Sequence, residues 1–64
     1  MRILGIDPGY GRLGFGLIDR VGMDLVSIEF GTLTTDANDR MEIRLAQIYD
    51  KVKELVDRFA PNCI

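Results

Sequence analysis

The chain opens MRILGIDPGYGRLGFGLID (residues 1–19), and these residues decide the fold. Residues 2–7 are a short apolar run that stops at Asp7-Pro8-Gly9, where Pro at the second turn position and Gly at the third predict a type II turn. A strand therefore ends at Asp7. Strand alternation places Ile3, Gly5 and Asp7 on one face and Arg2, Leu4 and Ile6 on the other, so the Asp7 carboxylate projects beside a residue without a side chain. Gly11 falls in the connecting loop. From Leu13 to Asp19 the chain alternates again, with Leu13, Phe15 and Leu17 on one face and Gly14, Gly16 and Ile18 on the other, which predicts a second strand.

Working outward, Asp19-Arg20-Val21-Gly22 is a second turn candidate. Leu25 through Thr35 is rich in Val, Ile, Phe and Thr and reads as a third strand, completing an antiparallel meander. From Asp39 the period changes. Met41, Leu45, Ile48, Tyr49, Val52, Leu55, Val56 and Phe59 recur at three and four, the spacing of one apolar helix stripe. Asp39 followed by Glu42 resembles a capping box with Asp as the cap, and Pro61 enforces an end after Phe59. About 21 residues at 1.5 Å each give a helix of roughly 30 Å. Asn62-Cys63-Ile64 then reads as the first step of a fourth strand. Strands, one amphipathic helix and a returning strand imply an α/β layer with a right-handed crossover. The helix stripe needs a sheet wider than three strands to cover it. No internal repeat, low-complexity tract or linker interrupts the pattern.

With 64 residues, 47% apolar and 28% charged, the composition is that of one globular unit. Hydrophobic gain and ordering cost nearly cancel at this size, so the unit calls for a staple, a partner surface or more chain. There is no His and a single Cys, Cys63, so one chain can build neither a disulfide nor a His/Cys zinc site. Cys63 is expected as a small buried residue, and a lone thiol suits a reducing cytoplasm. No segment approaches the length of a membrane span, and Asp7 interrupts the start before a signal-peptide core could form, so the expectation is a soluble cytoplasmic protein without membrane contact. The net charge of −2 weighs mildly against nucleic acid as partner. Residues 1–20, however, carry Arg2, Arg12 and Arg20 against Asp7 and Asp19, and the acidic excess lies at or after Asp24.

A carboxylate at the end of a buried strand, followed by a sharp turn, is a typical way to present a Mg²⁺ ligand to a phosphate. Asp before Pro-Gly also commonly does no more than cap the turn, and these residues alone leave both readings open. Gly14 and Gly16, on one strand face, allow close approach of a ligand backbone or, more commonly, of the chain's own helix. Arg12 lies after the first strand, where it could meet a phosphate or simply be solvated. Tyr10 could stack on a base. The helix charges Asp50, Lys51, Lys53, Glu54, Asp57 and Arg58 read as a wet face with a Glu54–Arg58 pair.

The opening through Asp7-Pro8-Gly9, followed by Gly14-Phe15-Gly16-Leu17-Ile18-Asp19 and later Arg44-Leu45-Ala46-Gln47-Ile48-Tyr49, closely resembles the RuvC family of Holliday-junction resolvases. That resemblance implies a ribonuclease H-like fold, in which three antiparallel strands lead through a helix to a fourth strand parallel to the first. Residues 1–64 would then be the amino-terminal, incomplete part of a single nuclease domain, with the fourth strand truncated. It also implies four acidic residues holding two Mg²⁺ ions, with Mn²⁺ as an alternative, and Asp7 matches the first of them. Read from the residues rather than from the resemblance, Gly5, Gly9, Gly14 and Gly16 are the candidate positions of close approach, and Arg12 and Tyr10 the candidate DNA contacts. The implied activity is crossover junction endodeoxyribonuclease: a homodimer nicks a four-way DNA junction by metal-activated water attack in recombination and repair, alongside branch-migration helicase proteins. Leu13, where family members often carry Thr, and the Tyr10-Gly11 pair depart from the pattern and touch the loop's substrate contacts, not Asp7. Three alternatives stand beside it. RuvX-like nucleases share Asp-x-Gly-x-x-Arg-x-Gly. Actin-like and sugar-kinase ATPases share the strand-Asp-x-Gly start but follow it with hydroxyls that Tyr10-Gly11-Arg12 lacks. A non-catalytic remnant is the third. The 64-residue chain by itself is expected to be inactive.

Overall fold

The computed structural model describes all 64 residues. Three strands, β1 (Arg2–Asp7), β2 (Arg12–Val21) and β3 (Asp24–Thr34), form an antiparallel sheet in the order β1-β2-β3, and one helix, α1 (Met41–Phe59), follows. The expected meander and helix are both present. The β2–β3 turn lies two residues later than expected. Val21 pairs with Asp24, so Gly22 and Met23 form the loop, and Gly22 takes φ +64°. A glycine with positive φ at the first central position suits the twist of a two-residue hairpin. The β3 register slips between Leu17 and Ile18, a local bulge.

Alternation decides which face the helix covers. Leu4, Leu13, Leu17 and Leu55 are buried, with Ile6, Phe15, Ile28, Val56 and Phe59 packed around them. Lys51 of α1 stands 5.2 Å from the Phe15 ring centroid, which fixes Phe15 on the helix side. Gly5, Asp7, Gly14 and Gly16 therefore lie on the opposite face. The helix approaches the sheet over leucines, and the commoner explanation for Gly14 and Gly16, packing of the chain's own helix, is overturned.

Three local expectations are corrected. The helix has 19 residues, and its N-cap is Arg40 without a side-chain cap, not Asp39. Asp36 explains this: its Oδ1 accepts from the Asn38 amide at 2.9 Å and its carbonyl from the Asp39 amide at 3.0 Å, so Asp39 is spent in the preceding turn. The Asp7-Pro8-Gly9 turn is not type II, since Gly9 has no positive φ. Cys63 is exposed. As expected of a sheet only three strands wide, the apolar stripe is covered only over its second half: Met41, Leu45 and Tyr49 are exposed while Leu55 is buried. Three strands do not reach the first turns of α1. At the other end, Ala60 in the left-handed region donates to the Val56 carbonyl and closes the helix before Pro61.

The expected fourth strand begins where the sequence placed it. Cys63 forms a parallel bridge with Ile3, the Leu4 amide donates to the Cys63 carbonyl at 2.9 Å, and the Asn62 amide donates to the Arg2 carbonyl at 2.8 Å. Glu54 and Arg58 pair as expected, at 3.7 Å. No helix is long and apolar enough to cross a membrane.

Candidate functional site

Asp7 ends β1 directly across from Gly14 on β2. Its side chain is exposed and makes no hydrogen bond or ion pair with the protein. A carboxylate that capped the turn would accept from a nearby amide, and this one accepts from none. The turn-capping role is excluded by that geometry. Clearance around Asp7 comes from glycines: a Cβ on Gly14 would stand 3.3 Å from the Asp7 Cβ, whereas one on Gly16 would meet nothing within 4 Å. Gly5 faces Gly16 across the strands. With exposed Phe30 and Thr32 of β3 these residues line an open cleft of about 700 Å³.

The loop after Asp7 is held from two sides. A Cβ on Gly9 would lie 2.6 Å from the Arg12 carbonyl oxygen, so the need for glycine is steric rather than torsional. Thr35, nearly buried at the end of β3, donates its hydroxyl to the Tyr10 carbonyl, and its amide donates to the Gly11 carbonyl at 3.0 Å. The same hydroxyl accepts from Arg44 Nε at 3.0 Å. Neither Thr35 nor the role of Arg44 was singled out from the sequence, because the burial of a threonine at a strand end has no periodic signature. Tyr10 is exposed and, with Pro8, Leu13, Leu45 and Ile48, borders a smaller apolar cleft of about 430 Å³. Arg12 opens β2 exposed and without a partner. At the other end of β1, Arg2 donates to both Asp19 oxygens, at 2.9 and 3.0 Å, and to the Phe59 carbonyl. These hydrogen bonds hold the Asp19 carboxyl below its usual range and raise the Arg2 guanidinium.

The donor set suits a hard divalent cation only in part. Asp7 offers free oxygens, but no group of three or more candidate ligands comes together. Of the expected site residues, Asp7, Gly5, Gly14 and Gly16 share one cleft, whereas Gly9, Tyr10 and Arg12 line the adjoining loop.

The model of the family described as "Crossover junction endodeoxyribonuclease RuvC" matches residues 3–64. The chain belongs to the RuvC family. Among relatives of that name, the RuvC of Ralstonia nicotianae is 48% identical over 98% of this chain and 35% of its own length. That of Brevibacillus brevis is 39% identical over 97% of this chain and 37% of its own. A solved structure of Thermus thermophilus RuvC in complex with Holliday junction substrate superposes with a TM-score of 0.87 at 30% identity, covering 95% of this chain and 38% of that one. A second Thermus thermophilus RuvC structure gives 0.84 at 26% identity. The three antiparallel strands and helix are therefore those of the RuvC, ribonuclease H-like fold. The chain spans about a third of the length of the RuvC relatives it matches.

Proposed function

We propose that residues 1–64 form the first part of a nuclease domain that hydrolyses the DNA backbone at four-way junctions, with Asp7 as a metal-binding carboxylate. The observation that carries this is the Asp7 side chain, free of every protein partner and projecting into the glycine-lined cleft on the face opposite α1. Family membership supports the substrate class. A carboxylate left unneutralised beside a phosphodiester is unfavourable unless a cation joins them. Mg²⁺, with Mn²⁺ as an alternative, is the cation the donor chemistry fits, and when bound it supplies Lewis-acid catalysis of hydrolysis. Asp7 contributes charge and acceptor oxygens only. Gly5, Gly14 and Gly16 contribute clearance for the sugar-phosphate chain. Arg12 offers a guanidinium to phosphate, and exposed Tyr10 a ring for stacking. Action as a homodimer, alongside branch-migration helicases and in the cytoplasm, belongs to the same proposal.

The test is a hybrid nuclease in which residues 1–64 replace the matching segment of the Ralstonia nicotianae relative. It is expected to nick a labelled four-way junction with Mg²⁺, and Asp7→Asn is expected to abolish nicking while leaving junction binding in place. Binding comes largely from phosphate contacts, whereas ligation needs the charge. Nicking at an undiminished rate by the Asn variant excludes Asp7 as a ligand. A hybrid that binds junctions but never nicks them favours a non-catalytic role for this chain.

A further inference from the structure

The eight cationic side chains are unequally committed. Arg2, Arg40, Lys51, Lys53 and Arg58 each sit 2.7 to 3.7 Å from a carboxylate. Arg12, Arg20 and Arg44 have none. Arg20 lies at the far hairpin, its Nε 3.4 Å from the Gly22 carbonyl. Arg12 and Arg44 both adjoin the loop that follows Asp7.

Arg44 is pinned at one point and free at the rest. Its Nε donates to the Thr35 hydroxyl at 3.0 Å, and Thr35 is only 6% exposed and tied in turn to Tyr10 and Gly11. One η nitrogen lies over Gly11, 3.3 Å from where a Cβ would stand. Neither η nitrogen donates to a protein acceptor. Arg12 lies on β2 two residues before Gly14 and on the same face, about 7 Å along the strand, and Gly14 faces Asp7. A guanidinium fixed at its stem with its fork unused matches the paired oxygens of a phosphate at little further cost in entropy.

We infer that Arg44 and Arg12 flank the loop that follows Asp7, Arg44 from the α1 side and Arg12 from the open face, each taking phosphate oxygens of a DNA backbone that crosses that loop, with Thr35 holding Arg44 in place. This rests on the nucleic-acid reading above and adds Arg44 to it. The chain's −2 net charge does not oppose phosphate binding by the pair, because eight of the ten acids lie at or after Asp24 and neither Arg12 nor Arg44 is paired with a carboxylate.

The experiment measures binding of the hybrid nuclease to a labelled four-way junction across a NaCl series, with the slope counted per protomer and a chelator present so that cleavage plays no part. Failure of the Asp7 proposal then leaves this readout untouched. The logarithm of affinity should fall with the logarithm of salt, and Arg44→Gln and Arg12→Gln should each reduce that slope by about one. Gln at 44 keeps a donor for Thr35, and Arg12 has no protein partner to lose, so neither effect can be ascribed to a lost fold. Arg20→Gln removes the same charge at the distant hairpin and should leave the slope unchanged. Equal slopes for the parent and both variants, an equal loss in Arg20→Gln, or no junction binding by the parent at low salt overturns the inference. So does displacement of the junction by inorganic phosphate at matched ionic strength, which assigns the pair to a free anion.

Discussion

Gly14 and Asp7 share one cross-strand position, and the space around the carboxylate depends on the missing side chain. Gly14→Ala places a Cβ 3.3 Å from that of Asp7, so either the carboxylate turns or the strands part. In the hybrid nuclease this should lower the nicking rate at least tenfold, about 1.4 kcal/mol in the barrier, with junction affinity within twofold. Equal losses in rate and affinity would instead mark a general distortion of β1 and β2. Away from the cleft, the Arg2–Asp19 pair ties β1 to β2 and, through the Phe59 carbonyl, to the end of α1. Asp19 titrates below its ordinary value because it accepts from Arg2. The stabilisation is therefore fully present above the usual carboxylate pKa of about 4 and is lost as pH falls through the lower folded value. Thermal melts of Asp19→Asn should lie below the parent at neutral pH and converge on it in acid; coincident curves would show that the pair contributes nothing, and a constant offset that the loss does not depend on the charge. The place of Asp7 at the end of β1 was legible at this scale because a strand-terminal acid before Pro-Gly stands out in sequence. Thr35 was not, since its importance lies in a buried hydroxyl shared between Tyr10 and Arg44, a contact between residues 25 and 9 positions apart.

Helix α1 separates the part of its stripe that the sheet uses from the part it does not. Leu55 is 1% exposed against Leu4 and Leu17, whereas Leu45 is 47% exposed. Leu55→Ala should cost about 2–5 kcal/mol through the cavity it leaves. Leu45→Ala in the same 64-residue chain should cost less than about 1 kcal/mol, since few apolar neighbours are lost. Circular dichroism of the two variants at low temperature separates them, Leu55→Ala losing the folded signal of so marginal a chain and Leu45→Ala keeping it, and equal losses would mean that the first turns of α1 find cover in solution. In the hybrid, where the rest of a RuvC sheet is present, the Leu45 cost should rise toward that of Leu55. Periodicity revealed the helix and its apolar face in full, yet it could not reveal the extent of cover, which depends on how many strands lie beneath. The cap failed for a related reason. Asp39-x-x-Glu42 has the right spacing, but Asp36 competes for the same turn and places Arg40 at the helix start. Helix faces are set by local spacing, whereas caps depend on which of several adjacent acids closes the turn first.

At the scale of the whole molecule, the chain measures 45 × 17 × 13 Å with a radius of gyration of 13.1 Å, against about 11 Å for a compact domain of this length. Only five of its 64 residues are buried. An elongated shape with so small a core leaves little hydrophobic stabilisation to offset chain entropy. The outer edge of β1 is paired only near Arg2 to Leu4, by Asn62 and Cys63, so the amide and carbonyl groups from Gly5 onward invite another strand. Phe30, 80% exposed on the open face, adds apolar surface to the same tendency. Asp7 is the one acid in the lining of its cleft, and a single carboxylate cannot fix the spacing of two metal ions, since Mg²⁺ keeps its waters unless several oxygens converge. The 64-residue chain alone is therefore expected to melt broadly at low temperature, to associate as its concentration rises, and to leave a labelled four-way junction intact in Mg²⁺ or Mn²⁺. Circular dichroism on heating, sedimentation over a concentration series and a junction-nicking assay check the three parts separately. Metal-dependent nicking that vanishes in Asp7→Asn would overturn the last part, because it would show that one carboxylate per chain suffices once chains assemble.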